Sequence, residues 1–368
     1  MEATLPPPRR RADPAPITRL RADAPVLVVT LALFALCAAA LSFKGKTYNP
    51  EMIGLNAQLY LAAIAALLVP HAAWQMWRER PDSPLRFLQA RYLAASPYRT
   101  HLLGGLPILA VQISLLPFFS AMKSTIPVFH AYNWDAALIA ADRALFLGHD
   151  PWRLLQPVLG FPLVTAALAL CYHLWLLLNY MGCAYLLFAR IDDRIRRRFF
   201  LCFTLSWSLI GGVLATLFAS YGPCFLEPLG GNAHFADQMA YLRAADAQIP
   251  VMTLPVQDML LAKFHEQANG LGSGISAMPS MHIAIAFLFY LAIRDVSKRL
   301  GRFFFGFFVV IWVASVHLAY HYAVDGLVSV VVVSLLWRLS GRLIAWWDAS
   351  SAVGRVQPTL RTNTVPAE

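Results

Sequence analysis

Charge is scarce in this 368-residue sequence: 14% of the residues are Asp, Glu, Lys or Arg, against about 25% in an ordinary soluble domain. Acidic residues are the scarcer kind, 20 against 30 basic. Nowhere do Asp and Glu gather as a Mg²⁺ site requires, so neither a metal nor another cofactor is expected. The five cysteines lack CxxC spacing, and four lie in or beside apolar runs with only Cys224 in a long polar connection. Neither a zinc site nor a disulfide framework follows. Internal repeats are absent too, which argues against a transporter built from duplicated halves.

What is present is hydrocarbon. Hydrophobic residues make up 58%, above the ~45–50% of soluble domains. They fall in eight runs near the length that crosses a ~30 Å hydrocarbon core: Pro25–Phe43, Ile53–Trp77, Leu102–Met122, Pro162–Phe188, Phe199–Ser220, Pro279–Ile293, Phe303–Tyr320 and Tyr322–Trp337. A bilayer requires every backbone group to be satisfied within the protein, and runs rich in Leu, Ala and Phe do that as helices. The expected class is all-α, a polytopic membrane helix bundle of about eight transmembrane helices. The first run is longer than a signal-peptide core, and Cys37 has no lipobox, so it reads as a retained anchor.

Lys and Arg collect on the cytoplasmic side of short loops. With the N-terminus inside and strict alternation, 23 of the 30 fall inside and seven outside. Both termini are therefore expected in the cytoplasm. The net charge of +10 follows from topology and implies no nucleic-acid partner. Residues 1–24 and 343–368 read as polar tails, 25–100 as two N-terminal spans and 101–342 as the core. Outer segments 123–161 and 221–278 are too long to be plain connections. The first places Leu138, Ala141, Leu145 and Phe146 at helical spacing before Gly148, which fits a surface helix that either guides substrate or packs over the bundle. The second ends in a glycine run, Gly270 to Gly274, suited to a lid or to a backbone facing phosphate.

Two segments set ionisable groups at span ends on the same outer face. Ser276-Ala-Met-Pro279-Ser280-Met-His282 enters the sixth span, and His317-Leu-Ala-Tyr320-His321-Tyr-Ala-Val-Asp325 joins the seventh to the eighth. Ionisable groups at membrane depth are costly and are usually paired and functional. His321 and Asp325 are four apart, one face of a helix. A carboxylate on one imidazole nitrogen fixes the tautomer and leaves the other nitrogen as a nucleophile. His282 can then protonate the leaving oxygen and later deprotonate the attacking alcohol or water. His317, four before His321, has two readings, a phosphate contact or plain packing. His71 and His173 read as buried structural histidines.

Pro279-Ser280-Met281-His282 resembles the Pro-Ser-x-His motif of the type 2 phosphatidic acid phosphatase superfamily, and His321-Tyr-Ala-Val-Asp325 resembles its His-x-x-x-Asp motif. The resemblance, over about residues 100–340, implies a six-helix core made of the third to eighth spans. It also implies a phosphohistidine intermediate without metal, with His321 as nucleophile, Asp325 as orienting carboxylate and His282 as general acid and base. Superfamily phosphatases carry an arginine six before the nucleophile, where this sequence has Ser315. Their Lys/Arg-Pro motif is echoed only by Lys123 and His130, with Ala131 in place of proline. Those losses, the His321-Tyr322 pair and the segment through Asp135, Asp142, Arg143 and Gly148 are similar to the branch containing inositol phosphorylceramide synthase and sphingomyelin synthase. Lys123, Ser280, His317 and Tyr322 are the substrate-binding candidates this implies. The expected partners are a phospholipid or other amphiphilic phosphate ester and the bilayer. Transfer of a phospho-head group between lipids leads; hydrolysis of phosphatidate or of a polyprenyl diphosphate follows. A non-catalytic lipid-binding or transport bundle is the reading from another class.

Overall fold

A computed structural model describes residues 16–47, 49–94, 96–266 and 274–350. Helices and their connections account for all of them, with no strand among the described residues. Seven stretches are long and apolar enough to cross a membrane: Thr18–Phe43, Glu51–Glu79, Pro97–Ser124, Pro162–Phe188, Asp193–Leu217, Lys298–His317 and Ala323–Ser350. The chain is therefore an integral membrane protein. The helices that matter below are α1 (Pro16–Phe43), α2 (Glu51–Glu79), α3 (Leu106–Ser124), α4 (Asp135–Leu145), α5 (Pro162–Phe188), α6 (Asp193–Ser208), α7 (Pro223–Gly230), α8 (Ala236–Asp246), α9 (Thr253–His265), α10 (Met281–Ile293), α11 (Lys298–His317) and α12 (Ala323–Ser350). A π-helical segment, Leu209–Leu214, continues α6.

The expected sixth span is the exception to span length. α10 has 13 residues, about 20 Å at 1.5 Å per residue, well short of a ~30 Å core. It can be short because nearly all its residues are buried among α5, α6, α11 and α12, so its length need not match the lipid. The extended stretch before it lies inside protein, and its amides are satisfied there: Ala277 N–H donates to the Ser220 carbonyl (3.1 Å) and Met278 N–H to Ser220 Oγ (3.2 Å). Irregular backbone within a membrane protein is tolerated on that condition.

Several expected boundaries move outward. α1 begins at Pro16, inside the expected tail, and α12 runs on to Ser350. The reason is a set of ion pairs at the end of the bundle remote from the histidines. Arg196, almost wholly buried, makes a bidentate pair with Asp23 of α1 (3.1 and 2.6 Å), and Arg197 does the same with Asp348 of α12 (2.7 and 3.0 Å). Each bond needs its partner helix to continue that far. The expected loops 189–198 and 294–302 are largely helical as well, started by Asp192, which accepts from Arg194 N–H (2.7 Å), and by Ser297, which accepts from Leu300 N–H (3.4 Å). The remaining tail residues, 1–15 and 351–368, lie outside the described residues.

Candidate active site

Three connections meet at one end of the bundle: the stretch into α10, the turn from α11 to α12, and the connection that follows the π segment. Gly222 stands where they converge, at φ +86°, and a Cβ there would come within 2.9 Å of both Ala277 Cβ and the Tyr320 carbonyl. Only glycine combines that conformation with that closeness. Cys224 N–H then donates to the Ala319 carbonyl (2.8 Å). The two histidine-bearing strands of chain are thus braced by a third.

The rings of His282 and His321 are brought to 6.1 Å between centroids. His321 Nδ1 lies 2.8 Å from the Ala277 carbonyl oxygen and 3.2 Å from Asp325 Oδ2. A carbonyl only accepts, so Nδ1 carries the proton and Nε2 keeps its lone pair. Asp325 is completely buried. Its Oδ2 also accepts Tyr322 N–H (3.0 Å), and its Oδ1 has no partner among the described residues. The backbone of His321 is pinned too, its N–H donating to the Ser315 carbonyl (3.1 Å).

His282 is clamped between aromatic rings of α5: Tyr172 stacks on it at 4.4 Å and Trp175 lies at 4.3 Å. Trp175 Nε1–H donates to the His282 carbonyl (2.9 Å). Residues 172 and 175 are one turn apart, so both face inward from one helix. Tyr320 stacks on the other side of Tyr172 at 4.9 Å. His282 is half-buried, with its ring nitrogens free of protein partners among the described residues. Lys123, at the end of α3, packs its backbone against Gly274 in the stretch that leads to α10, and its side chain has neither a hydrogen bond nor an ion pair among the described residues. The geometry gathers a free imidazole nitrogen and a second imidazole, with Lys123 beside the stretch that leads to the first of them.

The other candidates are placed differently. Ser280 caps α10, its Oγ accepting Ile283 N–H (3.4 Å), while its carbonyl accepts Ser329 Oγ–H (2.9 Å). His317 bonds Thr165 Oγ1 through Nε2 (2.9 Å) and belongs to the packing of α5 and α8 against α11. Tyr322 donates its hydroxyl to Asp135 Oδ1 (2.7 Å) and is buried. Burial and the neighbouring Asp135 carboxylate raise its pKa far above the ordinary phenol range, so it stays a donor. Ser315 turns its hydroxyl onto the Trp312 carbonyl (2.7 Å) and takes no part in an arginine's place. His173 bonds the Ala169 carbonyl of its own helix (2.9 Å). His71, expected to be buried, is exposed on α2, where Gln75, one turn on, satisfies its Nε2 (2.7 Å).

Two carboxylates not expected at the site hold it together from α4. Asp142 accepts Ala323 N–H and Val324 N–H (2.8 Å each), the unsatisfied amides that open α12. Asp135 accepts the Tyr322 hydroxyl, Tyr221 N–H (2.9 Å) and Gly222 N–H (2.9 Å). Both are buried, and burial pushes the Asp142 carboxyl up to about 6 despite its two amide bonds. The sequence signal was their spacing of seven, two helical turns on one face of an alanine-rich helix. That helix thus packs against the turn that carries His321. The glycine run is mostly outside the described residues. Gly274, at φ +90°, sits where a Cβ would meet the Lys123 backbone at 2.7 Å. The rest of segment 221–278 forms α7, α8 and α9, and Gln238 and Gln257 donate to the Val316 (2.8 Å) and Leu318 (2.9 Å) carbonyls at the end of α11.

A family model described as the PAP2 superfamily matches residues 136–339, more than half of the chain, a range that includes His282, His321 and Asp325. No curated protein and no solved structure matches it significantly.

Proposed function

The chain belongs to the PAP2 superfamily, and from that premise we propose that it transfers a phospho-head group between lipids through a phosphohistidine on His321. It is a membrane protein of the lipid phosphatase type; the transfer and the covalent route are the proposal. In the first step His321 Nε2 attacks phosphorus, the bond to the leaving oxygen breaks, and His282 gives that oxygen a proton. Asp325 stabilises the imidazolium through Nδ1. In the second step an acceptor hydroxyl loses its proton to His282 and attacks phosphorus, and the phosphorus–nitrogen bond breaks. The observation that carries this reading is the tether of His321 Nδ1 to Ala277 and Asp325, which frees Nε2 opposite His282.

A phosphodiester substrate is favoured by the cation count. The three outer arginines are engaged elsewhere, Arg153 with Asp237, Arg243 with Asp258 and Arg143 with the Gly148 carbonyl, and position 315 is serine, so no arginine is left for the phosphate and Lys123 is the lysine beside the stretch that leads to His282. One ammonium matches the single charge of a diester better than the two charges of a phosphate monoester. This supports reading the chain as akin to the inositol phosphorylceramide synthase and sphingomyelin synthase-like branch, with residues 101–342 as the proposed catalytic part. The positive charges at the remote end of the helices support an active site on the outer face with both termini in the cytoplasm. The test is purified protein in liposomes supplied with a long-chain glycerophospholipid and a lipid alcohol, read by mass spectrometry of the lipids. Head-group transfer to the alcohol supports the reading. Release of inorganic phosphate from phosphatidate, without transfer, would make the protein a hydrolase instead.

A further inference from the structure

A cavity of about 370 Å³ opens between α1, α3 and the π segment, on the same half of the bundle as the histidines. Along α1 it runs from Leu33 to Ala40, about 10 Å at 1.5 Å per residue, most of the ~15 Å depth of one leaflet's hydrocarbon. Its wall is hydrocarbon in practice. Thr216 spends its hydroxyl hydrogen on the Gly212 carbonyl (2.8 Å) and Cys37 directs its thiol at the Phe118 carbonyl (3.8 Å), which leaves the Ser208 hydroxyl and the Trp207 indole N–H as the polar groups of a lining otherwise made of apolar side chains and glycine.

The cavity exists because of two adjacent glycines. At Gly211 a Cβ would stand 2.3 Å from the Phe119 ring and 3.1 Å from Met281 Sδ, so the ring closes down on the helix there and forms the floor. At Gly212 a Cβ would meet nothing within 4 Å, and the space beside it is the cavity. A π turn places that pair where a regular helix would carry the wall straight past; such turns are frequent at functional sites.

The cavity shares a wall with the catalytic end. Trp207 lines it and lies 6.4 Å from Trp175, which lies 4.3 Å from His282. Met122 lines it too, directly before Lys123 in α3. Above its mouth, Lys44 stands over the Phe129 ring, another lining residue, at 5.4 Å. Hydrocarbon below, cations at the rim and a catalytic imidazole two rings away match one end-to-end ligand: a phospholipid with its chain down and its phosphate up.

We propose that the slot between α1, α3 and the π segment binds one acyl chain of the phospholipid substrate and so selects for long-chain lipids. The proposal rests on the lipid phosphotransferase reading, and it gives α1, outside the expected six-helix core, a part in recognition.

The experiment compares wild type with Gly212→Leu and, from the opposite wall, Cys37→Phe, each checked for folding by size exclusion in detergent. Turnover is measured on a long-chain glycerophospholipid and on its water-soluble short-chain analogue. In parallel, a glycerophospholipid carrying a diazirine in one acyl chain is photolysed with each protein and the adducts are mapped by mass spectrometry. The expected result is adducts on residues 33–40 and 207–217 that disappear in both variants. It includes a KM for the long-chain lipid raised about tenfold or more, as displacement of two or so methylenes from the slot requires, with the short-chain analogue unaffected. Equal loss on both substrates, or adducts elsewhere, would overturn it. Adducts in the slot with unchanged KM would also overturn it, by showing a resident lipid that is not substrate. If wild type turned over neither lipid, the transferase reading would fail, and the adducts, competed by long-chain but not short-chain lipid, would still decide the slot.

Discussion

At the scale of single residues, the site depends on which nitrogen of His321 is tethered. Two acceptors share Nδ1, the Ala277 carbonyl at 2.8 Å and Asp325 Oδ2 at 3.2 Å. In a triad where a carboxylate alone holds the tautomer, its loss as Asn costs about 10⁴-fold. Here the carbonyl still holds Nδ1–H, so Asp325→Asn is expected to lower kcat by clearly less, through lost stabilisation of the imidazolium, with KM little changed. His282→Ala removes general acid assistance, worth ~10²–10⁴-fold, and an activated ester with an acidic leaving group should recover most of that loss. Steady-state kinetics on the two ester types checks both, and a His282→Ala variant equally poor on the activated ester would contradict the acid role. The motifs carried His282, His321 and Asp325 in plain sight. They could not show that Ser280 and Tyr322 spend their hydroxyls on a helix cap and on Asp135, because those partners lie far away in sequence or in the backbone.

At the scale of elements, α4 acts as a clamp whose Asp142 caps α12 from outside. Asp142→Ala strands two buried amides, each costing ~1–3 kcal/mol when left without a partner, and lowers melting temperature together with kcat. The pH dependence has a definite sign. The Asp142 pKa is raised in the folded protein, from 3.8 to about 6, chiefly by burial. The stability gained from its protonation is therefore complete below 3.8 and lost as pH rises through about 6. Wild type should gain melting temperature relative to Asp142→Asn as pH falls from 8 to 5, measured by differential scanning fluorimetry in detergent; a wild type that loses melting temperature relative to the variant over that range would contradict the burial of Asp142. The seven spanning helices were legible because lipid demands long apolar runs. The short α10 departs from span length because protein, not lipid, surrounds it, and run length reports only on lipid. Likewise the starts of α1 and α6 were hidden because Asp23–Arg196 is a contact across 173 residues.

At the scale of the whole molecule, remote parts of the chain supply one site and the membrane orients it. Cysteine placed at Asp82 or Met252, both exposed, in a Cys-free variant should behave oppositely in intact cells: Met252→Cys reacts with an impermeant maleimide and Asp82→Cys does so only after lysis. The reverse pattern would turn the active site to the cytoplasm. The central claim, that chemistry passes through His321, is tested most directly by trapping. Protein exposed briefly to a lipid labelled in its phosphate is denatured and assayed for acid-labile, base-stable label, in wild type and in each histidine variant. The account predicts label in wild type, none in His321→Ala, and label in His282→Ala when the leaving group is good. Label that survives His321→Ala and vanishes in His282→Ala would contradict it and exchange the two roles.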